Sequence, residues 1–270
     1  PKVTLPRSLN PAGLLAPPKF GQALAKSLQI VNGAECVIGF GGYVSAPCYV
    51  AAKLSGIPVF IHEANAIPGW ANKLGINFAK LTFTAFASTS RFGGKWGSAM
   101  LAGMPIREEI FAISNLSKSE RSAKWDATYR QLELDRSNRT IFIFGGSLGA
   151  QSINTAVALA LPELLNRGFN IIHAVGQNNE LPKSRPGYSP LSYITNMADM
   201  YIASDFVISR GGAVTCAELD MANSFALIVP LPIGNGEQLA NAQDLVDKGA
   251  AGCCTTLVVV TSSLLHCSRR

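Results

Sequence analysis

Short apolar runs along this chain repeatedly end in paired glycines and lead into a stretch of helical periodicity. Cys36-Val37-Ile38-Gly39-Phe40 precedes Gly41-Gly42, Thr140 to Phe144 precedes Gly145-Gly146, and Phe206 to Ser209 precedes Arg210-Gly211-Gly212. Continuous β-branched and aromatic runs of this kind suit strands buried on both faces of a parallel sheet. Further strands are predicted at Ile57 to Ile61, Leu81 to Thr84, Phe169 to Ala174 and Ala226 to Val229, with helices at Ala46 to Leu54, Ser152 to Leu165 and Gln238 to Lys248. Strands alternating with helices indicate βαβ units and an α/β fold. The motif near Gly41 and again near Gly145 predicts two such domains. The polar, strand-free stretch from Glu108 to Arg139 is read as their connection, starting at Gly103-Met104-Pro105.

Composition agrees with this picture. The chain has 270 residues, 48% of them hydrophobic and 15% charged, which is long enough for two cores and argues against disorder. The formal net charge of +6 suits an anionic ligand or an anionic membrane surface. Lys and Arg are scattered without interleaved aromatics, so no nucleic-acid partner is expected. The cysteines Cys36, Cys48, Cys216, Cys253, Cys254 and Cys267 show no C-x-x-C spacing, which points to a reducing compartment. Neither a signal peptide nor a spanning segment is expected. The chain begins at Pro1 rather than Met and reads as lacking its natural start.

The candidate chemistry sits at the strand ends. A strand that ends in glycines and feeds a helix aims free N–H groups and roughly +0.5 charge at whatever lies beyond. At Ser209 to Asp220, Gly211 and Gly212 let a ligand approach the backbone, Thr215 offers a hydroxyl and Glu218 offers a carboxylate for a ribose. The same residues, Thr215-Cys216-Ala217-Glu218, also match a capping box that would need no ligand. Gly39 to Pro47 does not complete G-x-G-x-x-G, and Gly145 to Gln151 lacks the Gly-Lys-Ser/Thr of a P-loop, so neither a nicotinamide enzyme nor a P-loop ATPase is supported. No Asp-x-Asp pair offers a metal clamp, and neither metal nor cofactor is expected. Arg107 is a candidate for neutralising a diphosphate across a cleft, or else a solvated partner of Glu108 or Glu109. His62 beyond its strand is read as structural rather than as a ligand. Glu237 and Gln238 open a helix after a Gly-rich loop, where they either contact sugar hydroxyls or simply start the helix.

Together, "GFGGYVSAP", "IPVFIHEANAIPGWANK", "GMPIREEI", "FGGSLGAQSIN", "YITNMADMYIASDFVISRGGAVTCAEL" and "PLPIGNGEQLANA" resemble one family over Gly39 to Ala251. It is the UDP-N-acetylglucosamine:lipid-linked muramyl-pentapeptide N-acetylglucosaminyltransferases of peptidoglycan synthesis (the MurG family). The resemblance implies a GT-B type fold of two Rossmann-like domains facing across a cleft, residues 1–105 on the acceptor and membrane side and 106–270 holding the donor. It implies inverting transfer of GlcNAc from UDP-GlcNAc to the 4-hydroxyl of undecaprenyl-pyrophosphate-linked MurNAc-pentapeptide, by a peripheral protein on the cytoplasmic face of the membrane. Phe20, Leu24 and Leu28 are compatible with such a surface. By motif position, Arg107 and Ser147 are diphosphate-side residues and Ile194 reads the uracil through its backbone. Ala213, Val214 and Thr215 are the phosphate-cradling helix start, and Glu218 is the ribose ligand. Gln238 and Glu237 contact the sugar, and Asn65 reaches it from the first domain. Gly41, Gly42, Tyr43 and Ser45 are similar to part of the acceptor diphosphate site. The family's glycine loop with its proposed catalytic histidine would precede Pro1, so no catalytic residue is assigned. Residues 252–270 do not resemble the family. A fragment that binds the nucleotide sugar without turnover, and another GT-B glycolipid transferase, stay open as alternatives.

Overall fold

The computed structural model describes residues 17–254 apart from 147, 233 and 234. The chain divides into two compact units, one ending at Gly103 and the other starting at Met104.

The first unit holds a four-stranded parallel sheet in the order β1 (Val37–Gly39), β2 (Val59–Glu63), β3 (Ala79–Thr84), β4 (Met100–Leu101). Helices α1 (Pro17–Val31), α2 (Ser45–Leu54), α3 (Trp70–Gly75) and the single turn α4 (Gly94–Gly97) complete it. Alternation along β2 decides which face is covered. Val59 and Ile61 point into a cluster with Ala46, Tyr49 and Ala52 of α2 and Ala71 of α3. The Tyr49 ring occupies the space between β1 and α3, and a Cβ on Gly39 or Gly75 would lie 2.0 or 2.5 Å from its atoms. The pairing of Ile38 with Phe60 and of Phe60 with Leu81 puts these side chains on the opposite face, where Ile38 and Leu81 are exposed.

The second unit is larger. It begins with α5 (Glu108–Phe111) and α6 (Lys118–Gln131), and continues with β5 (Arg139–Phe144), α7 (Gln151–Asn166), β6 (Phe169–Ala174) and β7 (Tyr188–Leu191). Then follow α8 (Met197–Ala203), β8 (Phe206–Ser209), α9 (Ala213–Ala222), β9 (Ala226–Ile228), α10 (Glu237–Asp247) and β10 (Ala251–Cys253). Every strand pairing is parallel and the order is β10-β9-β8-β5-β6-β7. The chain starts at the centre, winds outward through β6 and β7, then returns to β8 and winds the other way. That is the doubly wound order of Rossmann-like sheets, and it leaves a switch point between β5 and β8. Ile141, Phe142, Ile143 and Phe144 are all buried, as a central strand covered on both faces demands.

The α/β expectation and the predicted strands therefore hold, most to within two residues. The stretch from Glu108 to Arg139 is different from the prediction. It is built into the second unit rather than linking the two. A complete capping box of Ser117 and Glu120 starts α6, and buried Tyr129 stacks on Trp125 at 3.8 Å and hydrogen-bonds Thr140 at the edge of the core. Only Thr128 and Tyr129 of α6 are buried, so its sequence reads as polar throughout.

Candidate functional site

The carboxyl ends of β5 and β8 flank the switch point, and glycines shape both exits. After β5, Gly146 and Gly149 take φ of +100° and +75°, a region that favours glycine. A Cβ on Gly149 would come within 2.0 Å of the Val175 carbonyl oxygen, so this loop lies flat against the end of β6. Asn179 fastens it there, its Nδ2 donating to the carbonyls of Leu148 (3.1 Å) and Val175 (2.8 Å). Beneath the loop, His173 bridges Tyr188 and Asn154, and burial holds its pKa down at about 4, so the imidazole is neutral. After β8, Gly211 is required by packing, because a Cβ would lie 2.2 Å from the Gln238 carbonyl oxygen at the start of α10. Gly212 is not. Its φ of −67° suits any residue, and an added Cβ would meet only the Thr215 hydroxyl at 3.5 Å. The open space beside Gly212 faces a cavity.

Two adjoining cavities flank the first turn of α9. The larger, about 770 Å³, is bounded by Gly146, Ser152 of α7, Arg210, Gly212, Thr215 and Gln238, among others. The smaller, about 480 Å³, is bounded by Arg107, Ile194, Val214, Thr215 and Glu218. Phe144, Gly146 and Thr215 line both. The unpaired N–H groups of a helix's first turn, with the positive end of its dipole, thus stand between two hollows.

The capping box considered for Thr215 and Glu218 does not form. The helix starts at Ala213 with Gly212 as its cap, so Thr215 is already in the first turn and Glu218 is a turn further in. Glu218 is 2% exposed. Its Oε2 accepts a hydrogen bond from the Tyr201 hydroxyl at 3.1 Å, and its Oε1 lies 3.1 Å from Arg107 Nε. The Arg107 contact is an ion pair without a well-directed hydrogen bond, which leaves Oε1 buried and short of a donor. Burial pushes the Glu218 carboxyl above the usual carboxylate range, against the pull of Arg107. Burial, with Glu218 alongside, pushes the Tyr201 phenol well above its ordinary value.

The structure thus gathers Arg107, Ile194, Val214, Thr215 and Glu218 on one cavity and Thr215 and Gln238 on the other. Ala213 and Glu237 are the first residues of α9 and α10. The Gln238 side-chain carbonyl accepts from the Leu231 N–H at 2.9 Å and so shapes its own loop. Arg107 caps α5 from within the second unit, 4.0 Å from Glu109 and close to Glu218. Ser147 lies outside the described residues.

The other predicted residues belong to the first unit. Gly41 and Gly42, with φ of +84° and +83°, form the turn between β1 and α2. The Ser45 hydroxyl donates to the Gly41 carbonyl, and Tyr43 is exposed beside them. Asn65 follows β2, its N–H donating to Glu63 Oε1 at 3.0 Å. His62 Nε2 bonds the Gly103 carbonyl at 2.8 Å, in keeping with a structural role. Arg210 was not singled out for chemistry in the sequence, although it lines the larger cavity.

Comparison with known proteins agrees with this geometry. Residues 1–84 match the glycosyltransferase family 28 N-terminal domain, and residues 140–265 match the glycosyltransferase family 28 C-terminal domain. A Corynebacterium glutamicum protein named UDP-N-acetylglucosamine--N-acetylmuramyl-(pentapeptide) pyrophosphoryl-undecaprenol N-acetylglucosamine transferase is 42% identical over 252 residues, which is 92% of this chain and 67% of that protein. The chain belongs to the MurG family of glycosyltransferases. It spans about two thirds of the length of such curated relatives. The crystal structure of Acinetobacter baumannii MurG, a family member, superposes with a TM-score of 0.71 at 31% identity, covering 93% of this chain and 70% of that one. A Streptomyces glycosyltransferase complexed with thymidine diphosphate, at 15% identity and a TM-score of 0.54, shares the fold alone, covering all of this chain and 71% of that one. The MurG family and the GT-B fold expected from the motifs are therefore both established for this chain.

Proposed function

We propose that this chain transfers N-acetylglucosamine from UDP-GlcNAc to the 4-hydroxyl of undecaprenyl-pyrophosphate-linked muramyl-pentapeptide, the step its family relatives are named for, with inversion. The observation that carries this reading is Glu218. A buried carboxylate with one oxygen short of a donor, a turn inside a helix whose start faces two cavities, fits a ribose whose hydroxyls would supply the missing hydrogen bonds. In this reading the first turn of α9 (Ala213, Val214, Thr215) takes the diphosphate, with Ser147 and Arg107 beside it. Ile194 meets the uracil with its backbone. Gln238, Glu237 and Asn65 contact the sugar, while Gly41, Gly42, Tyr43 and Ser45 bind part of the acceptor diphosphate. Catalysis would rest on holding donor and acceptor in line and stabilising the departing UDP.

Among the described residues no helix is long and apolar enough to cross a membrane. Peripheral attachment at the cytoplasmic face is supported by the lipid acceptor named for the relatives and by exposed Phe40, Tyr43 and Val44 beside the first glycine turn.

Calorimetric titration with UDP-GlcNAc tests the donor site. Micromolar-range binding is expected, weakened by about tenfold to a hundredfold in Glu218→Ala, since losing a charged hydrogen-bond partner removes about 1.5–3 kcal/mol. A cooperatively melting protein that does not bind UDP-GlcNAc would overturn the reading.

A further inference from the structure

The second unit carries two arginines near the α9 start, and they differ in what already neutralises them. Arg107 lies against Glu218 and near Glu109. Arg210 has no carboxylate partner among the described residues. Its Nη1 donates to the carbonyls of Val229 (3.0 Å) and Pro230 (3.2 Å), and its Nη2 to the Ser152 hydroxyl (2.6 Å). All of these acceptors are neutral. Of the five N–H groups a guanidinium carries, these bonds use three, which leaves two to give. The bonds also hold the head group still, tying it to the end of β9 and the first turn of α7, so ordering it at a ligand costs little side-chain entropy. Around it the larger cavity is lined by Gly146, Gly212, Thr215 and Gln238, with no Asp or Glu among the described residues of its wall. The starts of α7, α9 and α10 all contribute to that wall, each with its positive end.

We propose that Arg210 is the principal counter-charge for the diphosphate of the donor, binding it in the ground state and stabilising the negative charge that grows on UDP as the sugar departs. This rests on the donor-site reading given above and adds a residue to it. Arg107 stays beside the diphosphate as the weaker of the two cations, because Glu218 already offsets part of its charge. A fixed cation with neutral supports offers its full field to the ligand, whereas a paired one must first exchange partners.

The test compares ligands that differ only in phosphate. Affinities of the full chain for uridine, UMP and UDP are measured by calorimetry for wild type, Arg210→Gln and Arg210→Lys. Arg210→Gln is expected to lose about tenfold to a hundredfold in UDP affinity and less than about threefold in uridine affinity, with a shallower salt dependence for UDP. Arg210→Lys, which keeps the charge but not the fork, should fall between. Glu218→Ala should weaken uridine and UDP alike. A merely structural role would weaken all three ligands together, and that result, or unchanged UDP binding in Arg210→Gln, overturns the proposal. Should Arg210→Gln fail to fold, the uridine-to-UDP split in Arg210→Lys decides by the same criterion. Absence of UDP binding by the wild type would instead overturn the donor-site reading itself.

Discussion

Each unit buries a glutamate to the same 2% exposure, Glu63 at the end of β2 and Glu218 in α9, and their surroundings differ. Glu63 is surrounded by neutral donors. Its Oε1 accepts from the Asn65 N–H, and its Oε2 from the Gly69 N–H (2.8 Å) and Asn72 Nδ2 (2.9 Å). Asn72 in turn accepts from the Tyr49 hydroxyl at 2.8 Å, so the carboxylate organises the turn between β2 and α3. Glu218 has a tyrosine on one oxygen and a poorly directed arginine on the other. A buried carboxylate with its lone pairs engaged works as scaffold, and one left short keeps an acceptor open to a ligand's hydroxyls. Burial by itself does not separate the two.

Substitutions sharpen that contrast. The largest effect is expected at Glu63. Glu63→Ala removes the acceptor of the Asn65 and Gly69 N–H groups, leaves Asn72 Nδ2 with only its bond to the His62 carbonyl, and should lower stability by about 3–5 kcal/mol, read by denaturant unfolding. Glu218→Ala strands only the Tyr201 hydroxyl and should cost about 1–3 kcal/mol while abolishing most donor affinity; equal losses of stability at the two positions would erase the distinction. The adjacent glycines give a second, smaller pair. Gly211→Ala forces a Cβ to 2.2 Å from the Gln238 carbonyl and should destabilise by about 2–3 kcal/mol. Gly212→Ala meets no backbone and should leave the melting midpoint within about 2 °C of wild type while weakening UDP-GlcNAc by tenfold or more. A Gly212→Ala protein that binds normally would show that no ligand approaches there.

The smallest effect is one of pH. Because burial raises the folded Glu218 carboxyl above its unfolded value, the native state keeps this proton longer than the unfolded chain does. Its contribution to stability is complete below the ordinary carboxylate range and is lost as pH rises through the raised value. Glu218→Gln should flatten that part of the stability curve, and saturating UDP-GlcNAc should flatten it too.

Much of this was legible in the chain itself. The central strands β5, β6 and β8 announce themselves as continuous apolar runs because parallel strands bury both faces. The edge strand β7, Tyr188–Leu191, contains Pro190 and follows Pro182 and Pro186, so its pattern is that of a loop. α6 hides for the opposite reason, since it is anchored by Tyr129 and Thr128 with little other apolar surface. The glycine turns could be read locally, whereas Thr215 and Glu218 matched a capping box as well as a ligand site until the helix start at Ala213 separated the two. What could not be read is which charges are neutralised. Arg210 is set in place by Ser152, 58 residues earlier, and by carbonyls about 20 residues later, and such partners meet only once the sheet has closed.

The switch point also bears on how the second unit assembles. Its sheet consists of two runs of consecutive strands, β5-β6-β7 and β8-β9-β10, joined by the single seam where Ile141, Phe142 and Ile143 pair with Phe206, Val207 and Ile208. Each run can form from neighbours in the chain, but the seam closes a long loop and is the costly step. Gly146 belongs to one run and Thr215 to the other, so both cavities come into being only when the seam has zipped. A ligand held between those two residues staples the halves together, and at a hundredfold excess over its dissociation constant it deepens the closed state by about 2.7 kcal/mol. Donor supply would thereby set how long the sheet resists opening along its middle.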